Sequence, residues 1–233
     1  MAKLKEFYGE TYASALASCE AEGYRALSMP EVARAQIVGD APWGKYCDSL
    51  SVRVTGRTKQ GSPVVLFVHC DHPLATAEGV RAASRNGFVN GALRFPQEAF
   101  WKLLEQDGKT ADDGTYLVKC VDYKTLRKSR SGVMSLDDAR RHPQTGPFLG
   151  SEKMVTDYFE EFERKQGSRI GIWHDDDLSV KGPLARPLCV GNDCNNGLDG
   201  NVNYDISGRL VGVPRAVASV GAEGAKKNYR PTR

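Results

Sequence analysis

The pattern between Leu50 and Cys70 constrains this chain more than any other stretch. Leu50-Ser51-Val52-Arg53-Val54-Thr55 alternates apolar and polar residues, the period of a strand with one face buried. Thr58-Lys59-Gln60-Gly61-Ser62 supplies a turn. Pro63 to Cys70 then runs mostly apolar, which suits a central strand with Pro63 at its first residue, where no ladder N–H is needed. A central strand of this kind needs further strands beside it.

Other segments supply those elements. Leu4, Phe7, Tyr8, Tyr12, Ala15, Leu16 and Cys19 recur at helical spacing, which predicts an amphipathic helix over about Leu4 to Glu22, stopped by Gly23. Ser28-Met29-Pro30-Glu31 has the form of a capping box, with Pro30 tolerated in the first turn, and opens a short helix reaching Val38. Helices are also expected over Thr76–Arg85, from Pro96 to a stop at Asp107-Gly108, over Leu136–Arg141, and after Ser151 on the stripe Met154, Val155, Tyr158, Phe159 and Phe162. Tyr116–Tyr123, Arg169–His174, Leu184–Val190 and Arg209–Val213 read as strands. This order predicts an α+β fold: one domain over residues 1–220, with a mixed or mainly antiparallel sheet of about five to six strands and four to five helices. Residues 221–233 read as a basic, mobile tail.

A chain of 233 residues, 40% apolar and 26% charged, can bury a continuous core without covalent staples. Its longest apolar run, Val64–Val68, falls far short of the roughly 20 residues needed to span a bilayer, and the N-terminus has no signal-peptide apolar stretch. The expectation is a cytoplasmic protein, no membrane partner, and six reduced cysteines. Cys19, Cys70 and Cys120 read as small buried hydrophobes. Cys189 and Cys194 alone are close in sequence, but no second thiol or histidine pair nearby completes a metal site, and neither a zinc-deaminase nor a calcium-loop spacing fits them. Their segment reads as a turn-rich loop with one buried cysteine.

Several function classes are disfavoured by missing motifs. No GxGxxG, GxxxxGK[ST], GxSxG or HExxH occurs, which argues against a standard phosphate loop, an elbow-type serine hydrolase and a zincin. Two acid–imidazole clusters remain. His69-Cys70-Asp71-His72 closes the apolar strand, and His174 with Asp175 and Asp176 closes another. Imidazole and carboxylate at strand ends could hold a divalent metal ion or exchange protons. The leading expectation is therefore a small metal-assisted enzyme of hydrolase type, with His69, His72, His174, Asp175 and Asp176 as catalytic residues and the three histidines as metal ligands. Against it stands the simpler reading of core histidines and turn-forming aspartates.

Charge segregation carries the alternative. Residues 114–142 hold seven basic side chains against three acidic ones, and the segment from Gly208 holds six against one, in a chain whose net charge is only +3. Lys119, Tyr123, Lys124, Arg127, Lys128 and Arg130 would then hold a phosphate backbone and stack bases, making a nucleic-acid or ribonucleoprotein binding module. A third expectation is a structural or interaction protein without a catalytic site.

Overall fold

The computed structural model describes residues 3–174, 178–179, 181–191 and 197–215. Its first departure from expectation comes at once, because the long N-terminal helix is two elements. Lys5–Gly9 is a strand (β1) and Tyr12–Ala21 a helix (α1). Thr11 divides them: its side chain accepts from the Ser14 N–H, and Ser14 Oγ accepts in return from the Thr11 N–H, a capping box that starts the helix there. Tertiary pairing decides the rest, since the β1 backbone is taken by a strand from the other end of the chain.

Tyr24–Ala26 (β2) leads into Met29–Ile37 (α2), whose box forms as expected, with the Glu31 carboxylate accepting from the Ser28 N–H at 2.8 Å. Cys47–Arg57 (β3) and Pro63–Val68 (β4) are the hairpin read from the sequence. Ala77–Ser84 (α3) is capped by Thr76. Phe88–Val89 (β5) and Ala92–Arg94 (β6) form a small hairpin about Asn90-Gly91, both at positive φ, as a type I′ turn requires. Gln97–Leu104 (α4), Val118–Asp122 (β7), Tyr123–Lys128 (α5), Gly132–Ser135 (β8), Leu136–Arg140 (α6), Thr145–Leu149 (α7) and Glu152–Gln166 (α8) follow. Arg169–Trp173 (β9), Leu184–Val190 (β10), Gly197–Asp199 (β11) and Gly208–Pro214 (β12) complete the described elements.

All the strands join one mixed sheet, twelve among the described residues rather than the expected five to six, with eight helices rather than four to five. The six expected strands are present as β3, β4, β7, β9, β10 and β12. Of the others, β2, β5, β6, β8 and β11 are two to four residues long, too short to show a period, and β1 was hidden in a helical pattern. The main path runs β1-β12-β3-β10-β11-β9-β8, antiparallel except for β12–β3 and β11–β9. β3 is the axis. It pairs with β10 along one side, and along the other with β12 near Asp48 and with β4 from Val52 onward.

Alternation sends side chains into two apolar layers. Val65, Phe67, Leu188, Val190 and Val211 pack with Val32, Phe148, Tyr158 and Phe162 under α2, α7 and α8. Val52, Val54, Leu66, Val68 and Leu210 pack with Tyr12, Leu16, Val80 and Phe100 under α1, α3 and α4. The sheet is thus covered on both faces, which accounts for the apolar β4 run.

Close backbone approach fixes one parallel junction. A Cβ at Gly197 would sit 2.2 Å from the Gly171 carbonyl oxygen, its register partner on β9. Gly197→Ala should therefore destabilise the chain by about 1–3 kcal/mol, the usual range for forced overpacking, whereas Gly61→Ala, with open space around its Cβ, should lose only about 1 kcal/mol through its positive φ. Urea unfolding of both variants checks the difference.

Candidate functional site

The histidines at the end of β4 are fully engaged. The Met29 N–H donates to Ser51 Oγ at 2.8 Å, the Ser51 hydroxyl donates to His69 Nδ1 at 2.7 Å, and His69 Nε2–H donates to the Pro147 carbonyl at 2.8 Å. A carbonyl can only accept, so Nε2 carries the proton and both ring nitrogens have partners. His72 repeats the arrangement, with Nε2–H donating to Leu50 O at 2.7 Å and Nδ1 accepting from the Leu74 N–H at 3.1 Å. Burial pushes both imidazoles down to about 4, so they stay neutral. These two rings tie β4 to β3 and α7.

His174 lies elsewhere, beside His142, with ring centroids 5.6 Å apart. Its Nε2 is 3.3 Å from Ser129 Oγ. Asp175 and Asp176 lie outside the described residues. Among the described residues no group of three or more His, Cys, Asp or Glu side chains could hold a metal ion, so His69, His72 and His174 do not share a three-ligand site.

Most of the basic segment lies on a helix, α5, which carries Lys124, Arg127 and Lys128. Tyr123 is 6% exposed and belongs to the core, so only an edge of it reaches the neighbouring cleft and no ring face is open for a base to stack on. Lys119 on β7 stands over the Tyr116 ring at 5.2 Å. Lys124, Arg127 and Lys128 line a shallow cleft with Pro63 and Leu178.

A second, smaller cleft of about 220 Å³ has no counterpart in the sequence-based expectations. It is lined by Tyr46, Asp48, Cys189, Gly191, Asp199, Val202, Ile206 and Ser207. Cys189 on β10 is the register partner of Asp48 on β3 and of Asp199 on β11. Paired residues of an antiparallel ladder share a face, so the two carboxylates stand on one side of the sheet, about 10 Å apart at Cα by two interstrand spacings. Asp48 is 2% exposed; its Oδ2 accepts from the Arg209 N–H at 3.0 Å, and its Oδ1 has no hydrogen-bond partner among the described residues. The Arg209 guanidinium is engaged with Glu6 at 2.6 Å, with Tyr8 and with the Tyr46 carbonyl. Burial therefore pushes Asp48 up to about 7 and Asp199 to about 6. Burial also raises the Cys189 thiol well above its ordinary value, which keeps it protonated and a poor nucleophile.

The comparisons place this architecture. No family model and no curated protein matches the chain. A solved structure described as "Accommodation of massive sequence variation in Nanoarchaeota by the C-type lectin fold" is 41% identical, covering 91% of this chain and 98% of that one, with a TM-score of 0.81. The chain belongs to the C-type lectin fold family. Membership overturns the metal-assisted hydrolase and the nucleic-acid module alike. The physical reasons agree: the described histidines of the C-type lectin fold form no three-ligand metal group, and the aromatic ring meant for base stacking is core.

One sequence signal could have found Asp48. Extending the apolar set Leu50, Val52, Val54 back by two puts Asp48 on the apolar face, where a charge is unusual. Asp199, in a three-residue strand, gave no such signal.

Asp48 titrates in the folded chain at about 7 against an ordinary 3.8, so the native state holds that proton more tightly. Its stabilising effect is complete below about pH 4 and is lost as pH rises to about 7; Asp199 has the same sign. His69, His72 and His142, each lowered from 6.5 to about 4, act oppositely: their contribution is present above about pH 6.5 and is lost as pH falls toward 4. The two sets oppose each other between pH 4 and 6.5. Asp48→Asn should steepen the rise in stability across that window and make the chain more stable at pH 8, by at most about 4 kcal/mol at about 1.4 kcal/mol per pH unit. Urea unfolding from pH 4 to 8 gives both profiles.

Proposed function

We propose that this chain is an interaction module that holds a ligand in the Tyr46–Ile206 cleft without transforming it. The observation that carries the reading is the construction of the cleft within a C-type lectin fold. Its floor, Asp48 and Cys189, sits on two strands of the sheet axis, and its rim, Val202, Ile206 and Ser207, comes from the connection between β11 and β12. Ile206 is 48% exposed although apolar, and Ser207 is exposed. A rigid base under a mixed apolar and polar rim is the usual form of a binding site. No activated nucleophile is present at the floor, since burial keeps the Cys189 thiol protonated.

The related structure is described as accommodating massive sequence variation. We extend that tolerance to the rim here, because Asp205, Ile206 and Ser207 are exposed and contribute nothing to either apolar layer. Ile206→Glu and Ser207→Trp should each leave the unfolding free energy within about 0.5 kcal/mol of the parent. A fragment screen by amide-shift NMR on the full chain tests the docking site. Shifts gathered at Tyr46, Val202, Ile206 and Ser207, and reduced in Ile206→Glu, are expected. Shifts gathered elsewhere, or conversion of the bound compound to product, would overturn the reading.

A further inference from the structure

We infer that the cleft over Asp48 and Asp199 recognises a primary ammonium group carried on a short alkyl chain. The inference rests on that cleft being the docking site proposed above and adds the chemistry of what docks there.

The floor offers negative charge with no counter-ion of its own. Neither Asp48 nor Asp199 joins an ion pair among the described residues, although both line the cleft. A buried carboxylate without a cation is costly, and Asp48 is buried with one oxygen unpartnered. The Tyr204 hydroxyl, in the same neighbourhood, is a second buried polar atom without a partner among the described residues. The groups facing Asp48 are Tyr12 on α1, Cys189 on β10, Asp199 on β11, Arg209 on β12 and Tyr204, with Cys47 next to it on β3. Only Arg209 among them is cationic, and its guanidinium is engaged with Glu6, Tyr8 and the Tyr46 carbonyl. Near Asp199 the cation is Arg186, which donates to the carbonyls of Asn90, Asn201 and Val202 and to the Asn203 side chain.

Acceptor geometry separates ammonium from guanidinium. Asp48 Oδ2 is taken by the Arg209 N–H and Asp199 Oδ1 by the Asn201 N–H at 2.7 Å. Asp48 Oδ1 is buried without a partner among the described residues, and Asp199 stands two strands away, about 10 Å off at Cα by two interstrand spacings, so one ligand group meets one carboxylate at a time. A guanidinium fork matches both oxygens of a single carboxylate, whereas an ammonium needs only one acceptor oxygen and can leave its other donors to water. A metal ion fits less well, since no three-ligand group exists among the described residues. The walls, Tyr46, Val202 and Ile206, suit an alkyl stem. At about 220 Å³ the cleft is below the roughly 300–1,000 Å³ of sites for drug-sized ligands. One alkylammonium is the scale it accommodates.

The test titrates the full chain with n-butylammonium chloride, with n-butanol as its uncharged counterpart, following amide shifts by NMR. Butylammonium is expected to move Tyr46, Val202 and Ile206 and to bind about tenfold more weakly at pH 5.5 than at pH 8, as the carboxylates take up protons. Binding at pH 6.5 should release protons, measured by calorimetry in buffers of different ionisation enthalpy. Asp199→Asn should weaken binding by about tenfold; Asp48→Asn should do likewise, and Asp199→Asn keeps the test valid if Asp48→Asn does not fold. An acetyl-Gly-Lys-Gly-amide peptide binding more tightly than butylammonium would assign the ammonium to a protein side chain, and weaker binding would assign it to a free amine. Butanol binding as tightly as butylammonium at those amides would overturn the ammonium inference and leave the docking cleft standing, as would unchanged affinity in both variants. Absence of any probe or fragment from those amides would overturn both.

Discussion

Arg209 is the junction on which the two ends of the chain meet. Its guanidinium engages Glu6 and Tyr8 on β1 and the Tyr46 carbonyl at the entrance to β3, while its backbone N–H reaches Asp48. The side chain is 2% exposed, and a buried guanidinium is tolerated only when its donors are matched together. This sets β12 between β1 and β3 in a single register, because a one-residue slip would turn Arg209 to the other face of the sheet. It also accounts for the state of Asp48. The nearest strong cation is engaged by Glu6, so the carboxylate is left with the Arg209 amide and the neighbouring Cys189 thiol and no counter-ion.

Much of the fold was legible in the sequence, and what was missed shares a cause. The β3–β4 hairpin, the Ser28–Glu31 box, the helix after Thr76, the Ser151 cap and the α8 stripe are local patterns, and each occurs where its residues indicated. β1 did not, because Leu4, Phe7 and Tyr8 fit helical spacing and show no strand alternation, and its partner β12 lies about two hundred residues away. The same limit governed the site. His69 looked like a ligand because it stands beside Cys70, Asp71 and His72, yet its actual partners, Ser51 and Pro147, are distant in sequence. Asp48 and Asp199 are 151 positions apart in the numbering and become neighbours only through Cys189 on the strand between them.

The two apolar layers explain how such a floor is sustained. Large-to-small changes in packed cores of this kind cost about 2–5 kcal/mol each, the scale of the penalty for a single ill-matched buried charge. Two layers containing Phe100, Phe148, Phe159 and Phe162, all at most 1% exposed, can offset one uncompensated carboxylate without loss of the fold. The penalty is also conditional. Below neutrality Asp48 holds its proton and the floor is close to neutral; above it the charge appears in a cleft with apolar walls, where a cation is attracted more strongly than at an open surface.

Stability and recognition therefore act in opposite directions at Asp48. An asparagine there would satisfy the Arg209 N–H equally well and would remove the charge, so the demands of packing alone favour the amide. What the carboxylate adds is negative potential directed into the cleft, which no other residue of β3 facing that opening supplies. The rim does not carry this conflict, because Ile206 and Ser207 contact solvent rather than either core. In this C-type lectin fold the floor fixes the sign of charge a ligand should present, while the rim is left to shape which molecule bearing that charge fits.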